Sequence, residues 1–197
     1  VDAENSPLRC PLTQEPLEYD ETPDFDPEMI DPAQPGHWRY RAMLPVTDYN
    51  RSYISLGEGW TPLVKDVFCE QRLHWKMDSQ QPTGSYKDRG VSVMINWLIS
   101  HGANRVVEDS SGNAGASVAC YAARAGINAC IYVPESAPDP KKAQIAIYGA
   151  ELVEVPGPRK AAADAAVAAT RLDKTTKYAS HSLLSLIHIS EPTRHRR

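Results

Sequence analysis

The segment PTGSYKDRG, residues 82–90, decides how this chain is interpreted. A Pro-Thr-Gly-Ser turn stands directly before apolar residues at helical spacing, which predicts a helix beginning near Lys87 and ending at Gly102. These apolar residues are Val91, Met94, Ile95, Leu98 and Ile99. A lysine is unexpected there, because the positive end of the helix dipole disfavours a cation by about 0.3–1 kcal/mol.

This position favours a reactive amine at Lys87. Burial would disfavour the charged form in the same direction as the helix dipole, and a neutral amine can attack an aldehyde to form a Schiff base. A solvated lysine beside Asp88 is the alternative, and a lysine considered alone would favour it. The preceding turn and a second loop further along the chain favour the reactive amine.

The second loop consists of Ser110, Ser111, Gly112 and Asn113, and it leads into a predicted helix that starts at Ala114. Asn113 is typical of an N-cap. The first amides of a helix lack internal partners, so this loop predicts a site for a carboxylate or a phosphate. A capped helix that binds nothing is the alternative. Dinucleotide binding is disfavoured because the complete G-x-G-x-x-G pattern is absent.

Short apolar segments alternate with helical patterns along the chain. Predicted strands cover residues 73–78, 105–109, 129–135, 151–155 and 177–180, and further helices cover 114–126, 139–149 and 159–172. This order predicts an α/β fold, a three-layer parallel sheet with helices on both faces. We expect Gly126 to end one helix and Asp139 to cap the next. Ligands bind at the carboxyl edge of such sheets, where the Lys87 turn and the Ser110 loop would meet.

Composition excludes several functions. The 197 residues are 42% hydrophobic and carry a net charge of −4, without a basic cluster, so we expect no nucleic-acid partner. No apolar run is long enough for a membrane span, and no signal peptide is recognisable. The four cysteines are scattered, which indicates reduced thiols and a cytoplasmic protein, and the dispersed histidines predict no metal site.

Residues 1–50 differ from the rest of the chain. They contain eight of the sixteen prolines, and proline interrupts both helices and central strands. We therefore interpret residues 1–50 as an irregular arm that wraps around a neighbouring domain or subunit.

Three motifs in the same order resemble those of one enzyme family. PTGSYKDRG resembles the lysine motif of pyridoxal-phosphate enzymes of the tryptophan-synthase-β type (fold type II), and most of all that of threonine synthases. SSGNAGASVACYAARAG (residues 110–126) resembles the family's asparagine loop and helix, and SLGEGWTPLV (55–64) resembles its N-terminal signature. The resemblance extends from about residue 8 to residue 181.

The resemblance implies specific roles and a reaction. Lys87 would form the Schiff base with pyridoxal 5'-phosphate, and Asn113 would hydrogen-bond the phenolic oxygen of this cofactor. The substrate carboxylate, on a small amino acid, would be bound by Ser110, Ser111, Gly112, Asn113 and Ala114. The reaction would be that of a lyase, which converts O-phosphohomoserine and water to threonine and phosphate in a cytoplasmic homodimer. Residues 51–97 would begin the large domain, and residues 98–183 would form a small mobile one.

Several features depart from the family pattern. Tyr86 replaces the usual phenylalanine, and Cys10 with Thr13 retains only one ligand of the zinc ribbon of many relatives. No two glycines are adjacent, so the family's glycine-rich phosphate cup is missing and the fold is expected to be incomplete at the C-terminus. We expect this fragment to be inactive and to bind the cofactor poorly.

The C-terminal residues suggest a non-native origin. Residues 184–194, LSLIHISEPTR, correspond to the translation of transposase adapter DNA used in sequencing libraries. We interpret residues 184–197 as a non-native tail, with a genuine surface tail as the alternative.

Two other functions remain open. One is a serine/threonine dehydratase on the same scaffold, although dehydratases usually lack the Asp-Arg-Gly that follows Lys87. The other is a non-catalytic relative, which the presence of both Lys87 and Asn113 disfavours.

Overall fold

The computed structural model describes residues 25–44 and 53–179, together with the single position 12. The predictions about Cys10, Thr13 and residues 184–197 lie outside the described residues. The strands are β1 (Leu63–Phe68), β2 (Gln71–Lys76), β3 (Arg105–Glu108), β4 (Asn128–Pro134), β5 (Glu151–Val155) and β6 (Thr176–Tyr178). The helices are α1 (Lys87–Ser100), α2 (Asn113–Ala125), α3 (Asp139–Ala146) and α4 (Arg159–Thr170).

Four strands form a parallel sheet in the order β5-β4-β3-β6. Val107 in the central strand β3 pairs with Cys130 of β4 on one side and with Tyr178 of β6 on the other. The sheet and its intervening helices confirm the predicted α/β class. No helix among the described residues is long and apolar enough to cross a membrane.

The helices cover both faces of this sheet. On one face, Val106 and Ile131 are fully buried in a cluster with Met94 of α1 and Val118 of α2. On the other face, Val107 packs with residues of α4 and β6, including Ala166 and Tyr178. Each fully buried valine or isoleucine contributes about 1.5–3 kcal/mol relative to an exposed one, so both faces stabilise the three layers.

The strand predicted at residues 73–78 is wrong in its placement. In the structure, β2 pairs antiparallel with β1 as a separate two-stranded hairpin. Cys69 and Glu70 form the turn between them with φ angles of 49° and 63°, the left-handed geometry that the tightest hairpin turns require. Because neither residue is glycine or asparagine, the sequence carries no strong turn signal there, and β1 was missed.

Two predicted helix caps are wrong by one residue. Asn113 and Asp139 are the first residues of α2 and α3, and the N-cap positions belong to Gly112 and Pro138. The predicted stop at Gly126 is confirmed, since this residue caps α2 with a φ of 70°. An αL residue at this position is typical of helix ends and is accessible to glycine without steric cost.

The described part of the proline-rich arm packs against the start of the regular fold. Gly36–Met43 forms a 3-10 helix whose Trp38 is almost fully buried and stacks on Tyr53 at a centroid distance of 4.4 Å. A Cβ on Gly36 would lie 2.0 Å from the carbonyl oxygen of Glu58. Glycine at residue 36 therefore permits the close approach of the arm to the segment around Glu58.

Candidate active site

A buried carboxylate holds the loop that precedes Lys87. Asp88 Oδ2 accepts a hydrogen bond from the backbone N–H of Thr83 at 2.7 Å, and its Oδ1 accepts one from Thr83 Oγ1 at 2.6 Å. Burial raises the pKa of Asp88, and this effect exceeds the opposite effect of the hydrogen bonds. Both contacts bend residues 83–88 back on themselves and fix Lys87 as the first residue of α1.

The same carboxylate joins α1 to α2. Ser117 Oγ donates a hydrogen bond of 2.6 Å to Asp88 Oδ1, and Val91 and Val118 are fully buried in the cluster that includes both helices. We call this contact, defined by Asp88, Val91, Ser117 and Val118, the α1–α2 interface. It brings the start of α1 beside the start of α2.

Gly115 allows the Ser110 loop to close over the first turn of α2. A Cβ on Gly115 would lie 1.9 Å from the carbonyl oxygen of Ser110, which is far inside any real contact. Glycine at residue 115 therefore admits the loop's own carbonyl to the helix backbone.

Glu58 holds the N-terminal signature segment, residues 55–64, against α2. Its fully buried carboxylate accepts hydrogen bonds from Trp38 Nε1 at 2.6 Å and from Tyr121 Oη at 2.8 Å. Burial would raise the pKa of Glu58, but the backbone N–H of Leu56, the nearby His37 and the Tyr121 hydroxyl together lower it. One ionised carboxylate thus connects the arm, the signature segment and α2.

An ion pair attaches α1 to the end of the hairpin. Arg89 contacts both carboxylate oxygens of Asp78, at 2.7 and 2.9 Å, and its Nη2 also donates to Thr61 Oγ1 at 3.2 Å. The hydrogen bonds from Arg89 lower the pKa of Asp78. Bidentate arginine–carboxylate pairs are geometrically specific, so this pair orients the first turn of α1.

A cavity of about 540 Å³ lies where the starts of α1 and α2 meet. All predicted site residues line it: Lys87, Ser110, Ser111, Gly112, Asn113 and Ala114. Six further residues complete the lining: Asp109, Pro134, Ser136, Ala137, Lys141 and Arg159. A cavity of this size is within the range of small-molecule sites.

The predicted meeting of the Lys87 turn and the Ser110 loop at the carboxyl edge of one parallel sheet is only partly right. The Ser110 loop does follow the carboxyl end of a strand of the parallel sheet, β3. The Lys87 turn instead follows the hairpin strand β2, outside that sheet. The α1–α2 interface, rather than two neighbouring strand ends, therefore brings the lysine to the loop.

The Lys87 side chain is partly buried, and its Nζ lies 5.0 Å from the centroid of the Tyr86 ring. A cation over an aromatic ring is stabilised by the ring quadrupole. This contact attracts a positive charge, whereas the positive end of the α1 dipole repels one. Tyr86, which stands where the family motif usually has phenylalanine, is thus a direct neighbour of the amine.

Sequence reasoning missed three charged residues of the lining. Lys141 and Arg159 lie at the starts of α3 and α4, and Asp109 directly precedes the predicted loop. All three come from segments that follow strands of the parallel sheet, so the rule about carboxyl strand ends could have found them. Among the described residues, no cluster of His, Cys, Asp or Glu could hold a metal ion.

Comparison with known proteins identifies the class. The family model described as "Pyridoxal-phosphate dependent enzyme" matches residues 54–187. The chain therefore belongs to the pyridoxal-phosphate-dependent enzymes of this family, and its cofactor is pyridoxal phosphate.

Several curated relatives of the chain are threonine synthases. The chain is 38% identical to that of Mycobacterium tuberculosis (strain H37Rv) over 125 residues, covering 60% of this chain and 34% of the relative. It is 36% identical to that of Methanocaldococcus jannaschii over 147 residues, covering 71% of this chain and 36% of the relative. The chain thus spans about a third of the length of the curated relatives it matches.

Solved structures share the fold. A pyridoxal 5'-phosphate-dependent aspartate racemase matches with a TM-score of 0.53 and 28% identity, over 61% of this chain and 39% of that one. O-ureido-L-serine synthase matches with a TM-score of 0.55 and 25% identity, over 59% and 40%. These likenesses confirm the fold type.

The lining residues fit an aldehyde cofactor together with a carboxylate substrate. Lys87 supplies an amine, Asn113 an amide side chain, and the first turn of α2 a row of backbone N–H groups, and all of them line one cavity. These groups can hold the aldehyde of the cofactor, its phenolic oxygen and the carboxylate of the substrate, respectively.

Proposed function

We propose that the protein encoded by the complete gene is a threonine synthase, which converts O-phosphohomoserine and water to threonine and phosphate. The observation that carries this proposal is the placement of Lys87, Asn113 and the Ser110 loop around one cavity. The threonine synthases among the curated relatives support the choice of reaction.

The chain's own residues divide the work. The Lys87 amine would hold the cofactor and, beside the bound substrate, would move a proton from and to the substrate carbons. Asn113 orients the cofactor ring, and the N–H groups of the Ser110–Ala114 loop hold the substrate carboxylate. When bound, pyridoxal phosphate accepts electron density from the substrate α-carbon.

Two cations of the lining suit a phosphorylated substrate. Lys141 and Arg159 are exposed side chains from the first turns of α3 and α4, and both line the cavity with Lys87. Charge-assisted hydrogen bonds from such groups are the strong contacts to phosphate. We expect them to receive the phosphate group of O-phosphohomoserine at the cavity rim.

The remaining expectations concern the complete protein. We propose that residues 98–183 belong to a small domain whose closure excludes water, and that the enzyme is a cytoplasmic homodimer. This chain has no two adjacent glycines and therefore no counterpart of the glycine-rich phosphate cup that the family resemblance implies. We expect it to bind the cofactor weakly and to have little activity by itself.

The decisive experiment uses the complete gene product. Incubated with pyridoxal phosphate and O-phospho-L-homoserine, it should release threonine and phosphate in equal amounts, and Lys87→Ala should abolish both products and the visible absorbance of the bound cofactor. Lys160→Ala is the matched control, since Lys160 is an exposed lysine that pairs with Asp164 on α4. Release of an oxo acid from threonine, without phosphate release from O-phospho-L-homoserine, would contradict the proposal.

A further inference from the structure

One lining residue, Asp109, has the charge opposite to that of its ionisable neighbours. It is the only acidic residue among the described residues that line the cavity, and the other ionisable side chains there are Lys87, Lys141 and Arg159. The start of α2 adds further positive partial charge. Any cationic group that enters the cavity therefore has one counter-charge among these residues.

The Asp109 side chain is built into the wall rather than solvated at the rim. It is 6% exposed, and its Oδ1 is buried with no hydrogen-bond partner among the described residues. Unpaired buried acceptors are rare in folded proteins because the lost hydration is not replaced. The carboxylate of Asp88, which also lies near Lys87, accepts hydrogen bonds from Thr83 and Ser117. The missing hydrogen-bond partner is therefore a feature of Asp109 that Asp88 does not share.

The position of Asp109 along the chain matches the charges of an amino acid. It lies directly before the loop whose amides suit a carboxylate, so an acceptor for a cation and a donor set for an anion are adjacent on one wall. In a zwitterionic amino acid the ammonium and carboxylate groups are also adjacent, because both are bonded to the α-carbon. Without Asp109, the ammonium would face only like charges.

We propose that Asp109 binds the α-ammonium group of the incoming amino-acid substrate while the start of α2 binds its α-carboxylate. This proposal rests on the proposed function only for the substrate class, an α-amino acid. It gives Asp109 a role in specificity: acids that lack the amino group are rejected, because Asp109 then stays unpaired and repels their negative charge.

A matched pair of ligands tests this role with the chain free of cofactor. Calorimetric titration should show that O-phospho-L-homoserine binds more tightly than 4-phosphooxybutanoate, which lacks only the amino group, by about tenfold or more, as expected for a hydrogen bond between charged groups. Asp109→Asn should remove this preference. Asp164→Asn, which deletes the same charge from an exposed ion pair on α4, should retain it.

The thermal stability of Asp109→Asn separates binding from a structural role. Removing an unpaired buried charge should leave the melting temperature unchanged or raise it. A lower melting temperature, or a ligand preference that survives the substitution, would overturn the proposal.

A second ligand pair, L-serine and L-glycerate, keeps the two proposals distinguishable. A preference for L-serine that depends on Asp109, without any for the phosphorylated pair, supports the role of Asp109 and counts against O-phosphohomoserine as substrate. No amino-group preference in either pair overturns the role of Asp109, while threonine formation by the complete gene product would still uphold the proposed function.

Discussion

The α1–α2 interface and the β1–β2 hairpin both border the Lys87 loop, but they are stabilised in opposite ways. At the interface, apolar side chains are fully buried, and the Asp88 carboxylate has hydrogen-bond partners on both helices. On the hairpin, Val67 and Phe68 are 66% and 62% exposed. Its attachment to α1 includes the Arg89–Asp78 pair and the hydrogen bond from Arg89 to Thr61. The comparison indicates that the position of Lys87 depends on the interface far more than on the strand that precedes it.

Removing the Asp88 carboxylate should have the largest effect. Asp88→Ala leaves the N–H and hydroxyl of Thr83 and the hydroxyl of Ser117 without their acceptor, so the free energy of unfolding should fall by about 4 kcal/mol. Urea denaturation measures this loss. Asp88→Asn retains one acceptor and the side-chain shape, and it should lose less than half as much. Equal losses for the two variants would show that the hydrogen bonds do not hold the interface.

A methyl group at residue 115 should have the next largest effect. Gly115→Ala places a Cβ 1.9 Å from the Ser110 carbonyl oxygen, so the loop must move, at a cost of about 3 kcal/mol. Gly112→Ala is the control in the same loop, because the nearest atom to its Cβ would be 3.7 Å away. If both variants have the same melting temperature, the loop does not close on α2 as described.

Acid should weaken the attachment of the arm to α1 through His37, whose Nε2 lies 3.2 Å from Ser92 Oγ. Burial lowers the pKa of His37 from 6.5 to about 4, against the opposing effect of Glu58, so the unfolded state binds a proton at a higher pH than the folded state. Stability should therefore fall as the pH drops from about 6.5 to about 4, by about 3 kcal/mol. Urea denaturation of wild type and His37→Gln over this range measures it, and identical pH profiles would contradict burial of the ring.

A substitution on the hairpin should have the smallest effect. Val67→Thr replaces an exposed side chain and keeps the β-branched shape, so the free energy of unfolding of this chain should change by less than about 0.5 kcal/mol. Val91→Thr at the α1–α2 interface is the matched comparison and should destabilise the chain strongly. A large loss from Val67→Thr would mean that the hairpin contributes as much as the interface.

The sequence predicts well what depends on local pattern and poorly what depends on distant partners. The alternation of β3 to β6 with α2 to α4 follows from apolar periodicity, and Gly126 ends α2 as predicted. The Cys69–Glu70 turn lacks a typical turn sequence, so β1 and the antiparallel pairing of β2 were not predicted.

The site follows the same division. The three motifs identify Lys87, Asn113 and the Ser110 loop, and these residues line one cavity. The partners of Asp88 and the unpaired oxygen of Asp109 depend on where side chains meet across the fold. No spacing in the sequence reports such contacts.

We propose above all that the cavity directs an aldehyde to the Lys87 amine, and chemical trapping examines this placement without an intermediate assumption about the reaction. The chain is mixed with pyridoxal phosphate, reduced with borohydride, digested and analysed by mass spectrometry. The reduced pyridoxyl adduct should concentrate on the peptide that contains Lys87, and exposed lysines such as Lys160 should carry far less of it. An adduct spread evenly over the exposed lysines, with none on Lys87, would contradict it.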